Sequence, residues 1–133
     1  MSQENVEIIR RLLAAFEKED FEAIVPYLHP DVETRPGLVG GPEMTTHRGV
    51  EGMRRFWVDI DAAWEEFRIE PAEFREVEGA VLVLGHVYAR GRESGISLAS
   101  PAGWLAGMRD GRLVTFQSFN SQAEALEAAG LSE

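Results

Sequence analysis

The sequence predicts one α+β domain spanning residues 1–133, in which helices and an antiparallel sheet share a hydrophobic core. Apolar residues recur at helical spacing in the first half of the chain and alternate with a period of two from residue 67 onward. In addition, Asp110-Gly111 separates two apolar runs, which is a strong signal for a β-hairpin. The predicted order, ααβα followed by ββββα, is typical of an α+β protein whose helices gather on one face of a sheet.

The N-terminal segment predicts two helices. A stripe of apolar residues at i, i+3 and i+4 spacing predicts the first helix and its buried face. This stripe consists of Val6, Ile9, Leu12, Leu13 and Phe16. A shorter helix is predicted over residues 21–28, with Asp20 placed to cap its first turn and Pro30 to end it.

A long loop precedes the third predicted helix. Residues 32–35 leave room for one short strand, and glycine and proline then interrupt regular structure up to residue 46. Gly49 begins a strongly amphipathic segment, which predicts a helix with two tryptophans on its buried face. Its apolar stripe consists of Met53, Phe56, Trp57, Ile60 and Trp64.

The second half predicts four strands, at residues 67–77, 80–90, 96–108 and 113–120. Ser121, with Glu124 three residues later, forms a capping-box pattern for a final helix that Gly130 ends. The middle strands carry apolar residues on both faces, since Leu82 and Leu84 alternate with valines. An antiparallel sheet with one face in water does not show this pattern, so we expect a homodimer through the outer sheet face.

Composition excludes several functional classes. The 133 residues include 23 acidic and 13 basic side chains, and the resulting net charge of −10 disfavours binding to nucleic acid or to an anionic membrane. Because the chain has no cysteine and its three histidines lack paired ligand spacing, we expect neither a metal site nor another cofactor. The absence of a long apolar run or a signal-peptide pattern favours a cytoplasmic location.

Several segments of the chain carry a family resemblance. They are ENVEIIRR, DFEA, LHPDVE, HRGVEGMRRFW and MRDGRL, at residues 4–11, 20–23, 28–33, 47–57 and 108–113. With them the chain resembles the nuclear transport factor 2-like superfamily over residues 4–131, in particular its SnoaL-like members, which look like ketosteroid isomerases and polyketide cyclases. The resemblance implies a cone-shaped α+β barrel in which a strongly curved antiparallel sheet wraps around a long helix.

The resemblance also implies an apolar pocket between the helices and the concave sheet face. The residues that it places on this pocket are Leu12, Phe16, Thr34, Pro36, Phe56, Trp57, Val83, Gly85, Ala102, Trp104, Phe116, Ser118 and Asn120. Ketosteroid isomerases of this kind need a phenol, a carboxylate base and a protonated carboxylic acid. The matching positions here hold Leu12, Pro36 and Trp104, so the resemblance does not extend to that chemistry.

His47 is the candidate catalytic residue, because it ends the long loop near the expected pocket mouth and histidine commonly serves as a general acid or base. The alternative is that His47 only anchors the loop.

Three functions remain open at this stage. One is binding of a small hydrophobic molecule in the pocket, which requires no catalysis. Another is a cyclase, isomerase or dehydratase acting on a polyketide-like or terpenoid substrate. The third is recognition of another protein, which a pocket filled by Trp104 would favour.

Overall fold

The computed structural model describes residues 2–35 and 46–131. In these ranges the helices are α1 (Ser2–Glu17), α2 (Gly49–Ala63) and α3 (Gln122–Ala128). The strands are β1 (Leu28–Arg35), β2 (His47–Arg48), β3 (Trp64–Val77), β4 (Ala80–Gly91), β5 (Ser97–Arg109) and β6 (Arg112–Phe119). No helix within these ranges is long and apolar enough to cross a membrane.

The predicted α+β fold is confirmed, and its centre is one curved six-stranded sheet with the order β2-β1-β6-β5-β4-β3. Strands β3 to β6 pair antiparallel in succession, as the sequence predicts. The sheet is mixed, however, because β1 lies parallel to β6. The short strand β2, which was not predicted, pairs with the end of β1 and places His47 beside Thr34.

The prediction of a second α-helix over residues 21–28 is wrong. The chain forms two single 3₁₀ turns, Phe21–Ala23 and Val25–Tyr27, and Leu28 already begins β1. Pro26 explains the difference, because proline has no amide hydrogen to donate and disfavours helical backbone at the residue before it. Asp20 precedes the first turn without capping it through its side chain.

The local signals at the end of the chain are confirmed. Asp110 and Gly111 both adopt positive φ, at 54° and 75°, which is the geometry of the tight hairpin turn that joins β5 to β6. The Ser121 hydroxyl accepts a hydrogen bond of 3.0 Å from the Glu124 amide at the start of α3. Gly130 follows α3 with a φ of 80°, as expected for a helix-ending glycine.

The two faces of the sheet support two hydrophobic clusters. The main core lies on the inner face, where Val81, Val83 and Trp104 pack with α1 and α2. A second cluster forms on the outer face, where α3 covers Leu82 and Leu84. The prediction that all helices lie on one face is therefore wrong. Because α3 buries part of the apolar outer face within the chain, less of that face remains for a homodimer to cover.

A β-bulge in β3 shapes the inner face. Between Pro71 and Glu73 the pairing with β4 shifts by one residue opposite Gly85. The shift reverses the alternation of side chains, so that Phe67 and Phe74 both pack against the main core. A Cβ atom at Gly85 would overlap the carbonyl oxygen of Glu70, so only glycine allows β3 to approach this closely.

Candidate functional site

In the part of the chain that the structure describes, the space between the helices and the concave sheet face is almost filled. An inner cavity of about 40 Å³ remains there, which is room for a few water molecules and not for an organic ligand. It is lined by Leu12, Leu13, Phe16, Met53, Phe56, Trp57, Ile60, Phe67, Ile69, Trp104, Phe116 and Ser118. The side chain of Trp104 is 3% exposed and occupies space in which a ligand pocket was predicted.

A much larger open cleft lies at the mouth of the cone, next to the inner cavity. Its volume is about 600 Å³, and it is bounded by the end of α1, the second half of α2 and the start of β3. Its lining is Phe16, Glu17, Glu19, Phe21, Arg54, Trp57, Val58, Ile60, Asp61, Trp64, Glu65, Glu66, Phe67 and Arg68. Phe16, Trp57, Ile60 and Phe67 line both spaces and form the wall between them.

Five aromatic rings form a continuous wall of the open cleft. The Trp57 ring meets Phe21 and Phe16 edge to face, at centroid distances of 5.0 and 5.1 Å. Phe16 in turn meets Phe67 edge to face at 6.0 Å, and Phe67 packs against Trp64 at 6.1 Å. The three edge-to-face contacts stabilise the wall and hold those ring planes nearly perpendicular, whereas the planes of Trp64 and Phe67 are tilted by 53°.

Acidic side chains surround this wall. Asp61, Glu65 and Glu66 form ion pairs of 3.3 to 3.8 Å with Arg90 and Arg92, which lie outside the cleft. Among the described residues, Glu17 and Glu19 have no ion-pair partner.

The two arginines that line the cleft are paired with carboxylates that do not line it. Arg54 bonds Glu22 at 2.6 Å and Glu51 at 3.3 Å, and the hydrogen bond with Glu22 raises the pKa of the Arg54 guanidinium. Arg68 lies 3.6 Å from Glu70. The charges of the open cleft that have no ion-pair partner among the described residues are therefore the carboxylates of Glu17 and Glu19.

The predicted pocket residues separate into three groups. Those that line the inner cavity are Leu12, Phe16, Phe56, Trp57, Trp104, Phe116 and Ser118. Those that line neither the inner cavity nor the open cleft are Thr34, Val83, Gly85, Ala102 and Asn120. Pro36 lies outside the described residues.

The residues in the second group have other places in the fold. Val83 and Ala102 are buried in the main core. Gly85 adds no volume for a ligand, because the β3 backbone occupies the space beside it. Thr34 is fully buried, and its hydroxyl has no hydrogen-bond partner within the described ranges. The same holds for the buried Oδ1 of Asn120.

His47 lies against α2. Its Nε2 is 3.4 Å from Oδ2 of Asp59, and its ring packs 5.9 Å from that of Phe56. Its side chain is 14% exposed, and the buried Nδ1 has no hydrogen-bond partner in the described part of the chain. Among the described residues His47 lines neither the inner cavity nor the open cleft, and its catalytic role stays a prediction.

Sequence reasoning missed several residues of the open cleft. Trp64 was placed on the buried stripe of the third helix, but the helix ends at Ala63 and Trp64 begins β3. Phe21, Glu17 and Glu19 lie around the turn that follows α1, where no periodic pattern shows which side chains share a surface. The available signal was the concentration of aromatic residues near the ends of α1 and α2 and at the start of β3.

The described ranges contain no group of three histidine, aspartate or glutamate side chains that could hold a metal ion.

Comparisons with known proteins agree with the architecture. The family described as "SnoaL-like domain" matches residues 9–116. No curated protein matches the chain.

Solved structures match over nearly the whole chain. A nuclear transport factor 2-like protein of unknown function from Burkholderia pseudomallei is 25% identical, with a TM-score of 0.80 over 97% of this chain and 98% of that one. TerC, co-crystallised with polyporic acid, is 24% identical with a TM-score of 0.78, over 95% and 97% of the two chains. A SnoaL-like polyketide cyclase from Jannaschia is 14% identical with a TM-score of 0.77, over 96% and 92%.

Proposed function

The chain belongs to the SnoaL-like domain family, and we propose that it binds a small, largely hydrophobic organic molecule in the open cleft. One observation carries this proposal, namely the wall of five aromatic rings along a cleft of about 600 Å³. Cavities of roughly 300 to 1,000 Å³ are those that hold compact organic ligands in proteins. Rings held by one another in this way offer a large contact area without losing much conformational freedom on binding.

The apolar surface of the cleft supports binding rather than simple packing. Val58 lies on the cleft, and its side chain is 55% exposed. Burial of this side chain against a ligand would stabilise the complex. The fold itself tolerates a bound organic molecule, since TerC was crystallised with polyporic acid.

The inner cavity gives less support to the pocket that the family resemblance implied. It is too small for an organic ligand, and Phe16 and Trp57 connect the predicted pocket to the open cleft instead. The proposal therefore keeps these two predicted residues and adds Phe21, Trp64 and Phe67.

Catalysis of the cyclase, isomerase or dehydratase kind is supported less well. Among the described residues, the inner cavity is lined by no titratable side chain, and the hydroxyl of Ser118 and the indoles of Trp57 and Trp104 are its polar groups. Leu12 and Trp104, which replace the isomerase phenol and acid, contribute apolar surface to that lining. The Jannaschia protein is only 14% identical to this chain, so the comparison supports a shared fold and not a shared reaction.

Titration with N-phenyl-1-naphthylamine, a neutral fluorophore, tests the proposed function. We expect saturable binding, with an increase in emission as the fluorophore enters the apolar cleft. Trp57→Leu should weaken binding by about tenfold, because an aromatic wall residue is lost. Tyr27→Leu, in the second 3₁₀ turn and outside the lining of the cleft, is the matched control and should change the affinity by less than about twofold.

A second pair of variants avoids any change in the core. Val58→Asp introduces a charge into the cleft and should weaken binding of the fluorophore, whereas Ile96→Asp introduces the same charge at a site that is 67% exposed and outside the cleft. Equal affinities for Val58→Asp and Ile96→Asp, or the absence of saturable binding by the unmodified protein, would contradict the proposed function.

A further inference from the structure

The aromatic wall has an electrostatic preference of its own. Aromatic rings carry negative charge on their faces and positive charge on their edges, so ring faces attract cations. The Phe16 ring stands at 85° to Trp57 and at 87° to Phe67, and the Phe21 ring stands at 87° to Trp57. Aromatic cages that bind alkylammonium groups likewise combine rings of different orientation.

The charged residues of the cleft favour the same sign of ligand. Of the seven charged side chains that line it, five are carboxylates and two are arginines. Both arginines are committed to carboxylates that do not line the cleft, whereas Glu17 and Glu19 have no ion-pair partner among the described residues. A cation entering the cleft would therefore meet uncompensated negative charge beside an apolar wall.

The backbone adds to this field, because two helices end at the cleft. The last turns of α1 and α2 supply Phe16, Glu17, Ile60 and Asp61 to its lining. The C-terminus of a helix carries a partial negative charge, which a lysine or arginine in the last turn commonly offsets. Neither α1 nor α2 has a basic residue in its last turn.

A ring at this site already binds a cation within the chain. The guanidinium carbon of Arg54 lies 4.6 Å from the centroid of the Phe21 ring, at one end of the aromatic wall. The remaining rings of the wall, Phe16, Trp57, Trp64 and Phe67, have no such cation from the described residues.

We propose that the ligand of the open cleft is an organic cation, a compact alkyl- or arylammonium compound whose charged group meets Glu17, Glu19 and the aromatic faces. This inference rests on the proposed function of the cleft and adds the chemical class of the ligand. An anionic ligand of the same size would face the unpaired carboxylates of Glu17 and Glu19 and the C-termini of two helices. A neutral ligand would gain from the apolar wall but leave the charge of Glu17 and Glu19 unused.

A pair of isosteric probes isolates the contribution of charge. Phenyltrimethylammonium and tert-butylbenzene have nearly the same shape, and only the first carries a positive charge. Binding of each is measured by quenching of tryptophan fluorescence at low ionic strength. We expect phenyltrimethylammonium to bind at least about tenfold more tightly, and the difference to shrink as potassium chloride is raised, because salt screens exposed charges.

Variants assign this preference to the cleft. Exchange of both Glu17→Gln and Glu19→Gln should weaken phenyltrimethylammonium binding by about fivefold and leave tert-butylbenzene binding within twofold. Val58→Lys should also weaken binding of the cation, whereas Ile96→Lys places the same charge outside the cleft and should not.

The outcomes separate this inference from the proposed function. If N-phenyl-1-naphthylamine binds in the cleft but the two isosteres bind equally well, the cation inference is wrong and the proposed function stands. A cation preference that survives both glutamate exchanges and Val58→Lys would also overturn the inference. If neither isostere nor the neutral fluorophore binds, both proposals fail.

Discussion

Glu19 adopts a left-handed backbone conformation at the end of α1, with a φ of 57°. At this position, directly after a helix, glycine is the residue most often found, because a side chain strains the left-handed conformation. The amide of Glu19 donates to the carbonyl of Phe16, and that of Asp20 to the carbonyl of Ala15, which holds the turn in place. The chain thus keeps a carboxylate on the open cleft at a position where glycine would be less strained.

This strain gives a prediction at the scale of the residue. Glu19→Gly should raise the free energy of unfolding by about 1 kcal/mol, because glycine removes the penalty of the left-handed conformation. Glu7→Gly, on an exposed position inside α1, is the control and should lower it by about 1 kcal/mol. Urea denaturation measures both changes. Destabilisation by Glu19→Gly would show that the glutamate side chain, rather than the backbone, determines stability at this turn.

At the scale of the element, the sequence predicted what local patterns encode. Helices α1 and α2, the strands β3 to β6 and the capped helix α3 follow from periodicity and from turn residues such as Asp110-Gly111. Each of these signals depends on residues that are close together in sequence. The prediction of a helix over residues 21–28 was wrong because it rested on periodicity alone. Pro26 is a local signal against that helix.

Properties that depend on distant pairing were not predictable in the same way. The parallel pairing of β1 with β6 joins segments about 80 residues apart, and no turn residue announces it. The β-bulge beside Gly85 follows from the approach of β3, which the sequence of β4 alone does not reveal. Placement of α3 on the outer face likewise depends on Gly103, where a Cβ atom would overlap that of Ala125.

Local sequence patterns predict only part of the candidate site. Phe16 and Trp57 were predicted because they belong to helical stripes that face the core. The open cleft arises where the ends of α1, α2 and the start of β3 meet, so its lining is set by tertiary packing. The inner cavity closes because Trp104 and the aromatic residues of both helices fill it, and side-chain volumes alone do not show whether such a space remains.

For the whole molecule, the homodimer through the outer sheet face stays a prediction. The apolar surface that it would bury is smaller than the sequence indicated. Helix α3 covers Leu82 and Leu84 within the chain, so these residues need no partner subunit. His86 and Tyr88 stack on each other elsewhere on this face, at a centroid distance of 6.3 Å, and both are half-buried.

The mass in solution measures this directly. A homodimer should give twice the chain mass of 14.8 kDa by light scattering at micromolar concentration. Tyr88→Glu should weaken the dimer, because it would bury an unpaired charge, whereas Glu7→Gln on α1 should leave it unchanged. Leu84→Glu does not test the interface, since it would disrupt packing beneath α3. A monomer mass for the unmodified protein would contradict the prediction.

We propose that the open cleft, and not the inner cavity, is the binding site. The three tryptophans of the chain can distinguish these two spaces. Trp64 lines only the cleft, Trp104 only the inner cavity, and Trp57 both. Indole N–H resonances in nitrogen-15 NMR spectra, assigned by tryptophan-to-phenylalanine variants, are followed during titration with N-phenyl-1-naphthylamine. We expect saturable shifts for Trp64 and Trp57 and a stationary Trp104 signal. A shift of Trp104 with a stationary Trp64 signal would show that the ligand does not bind in the open cleft.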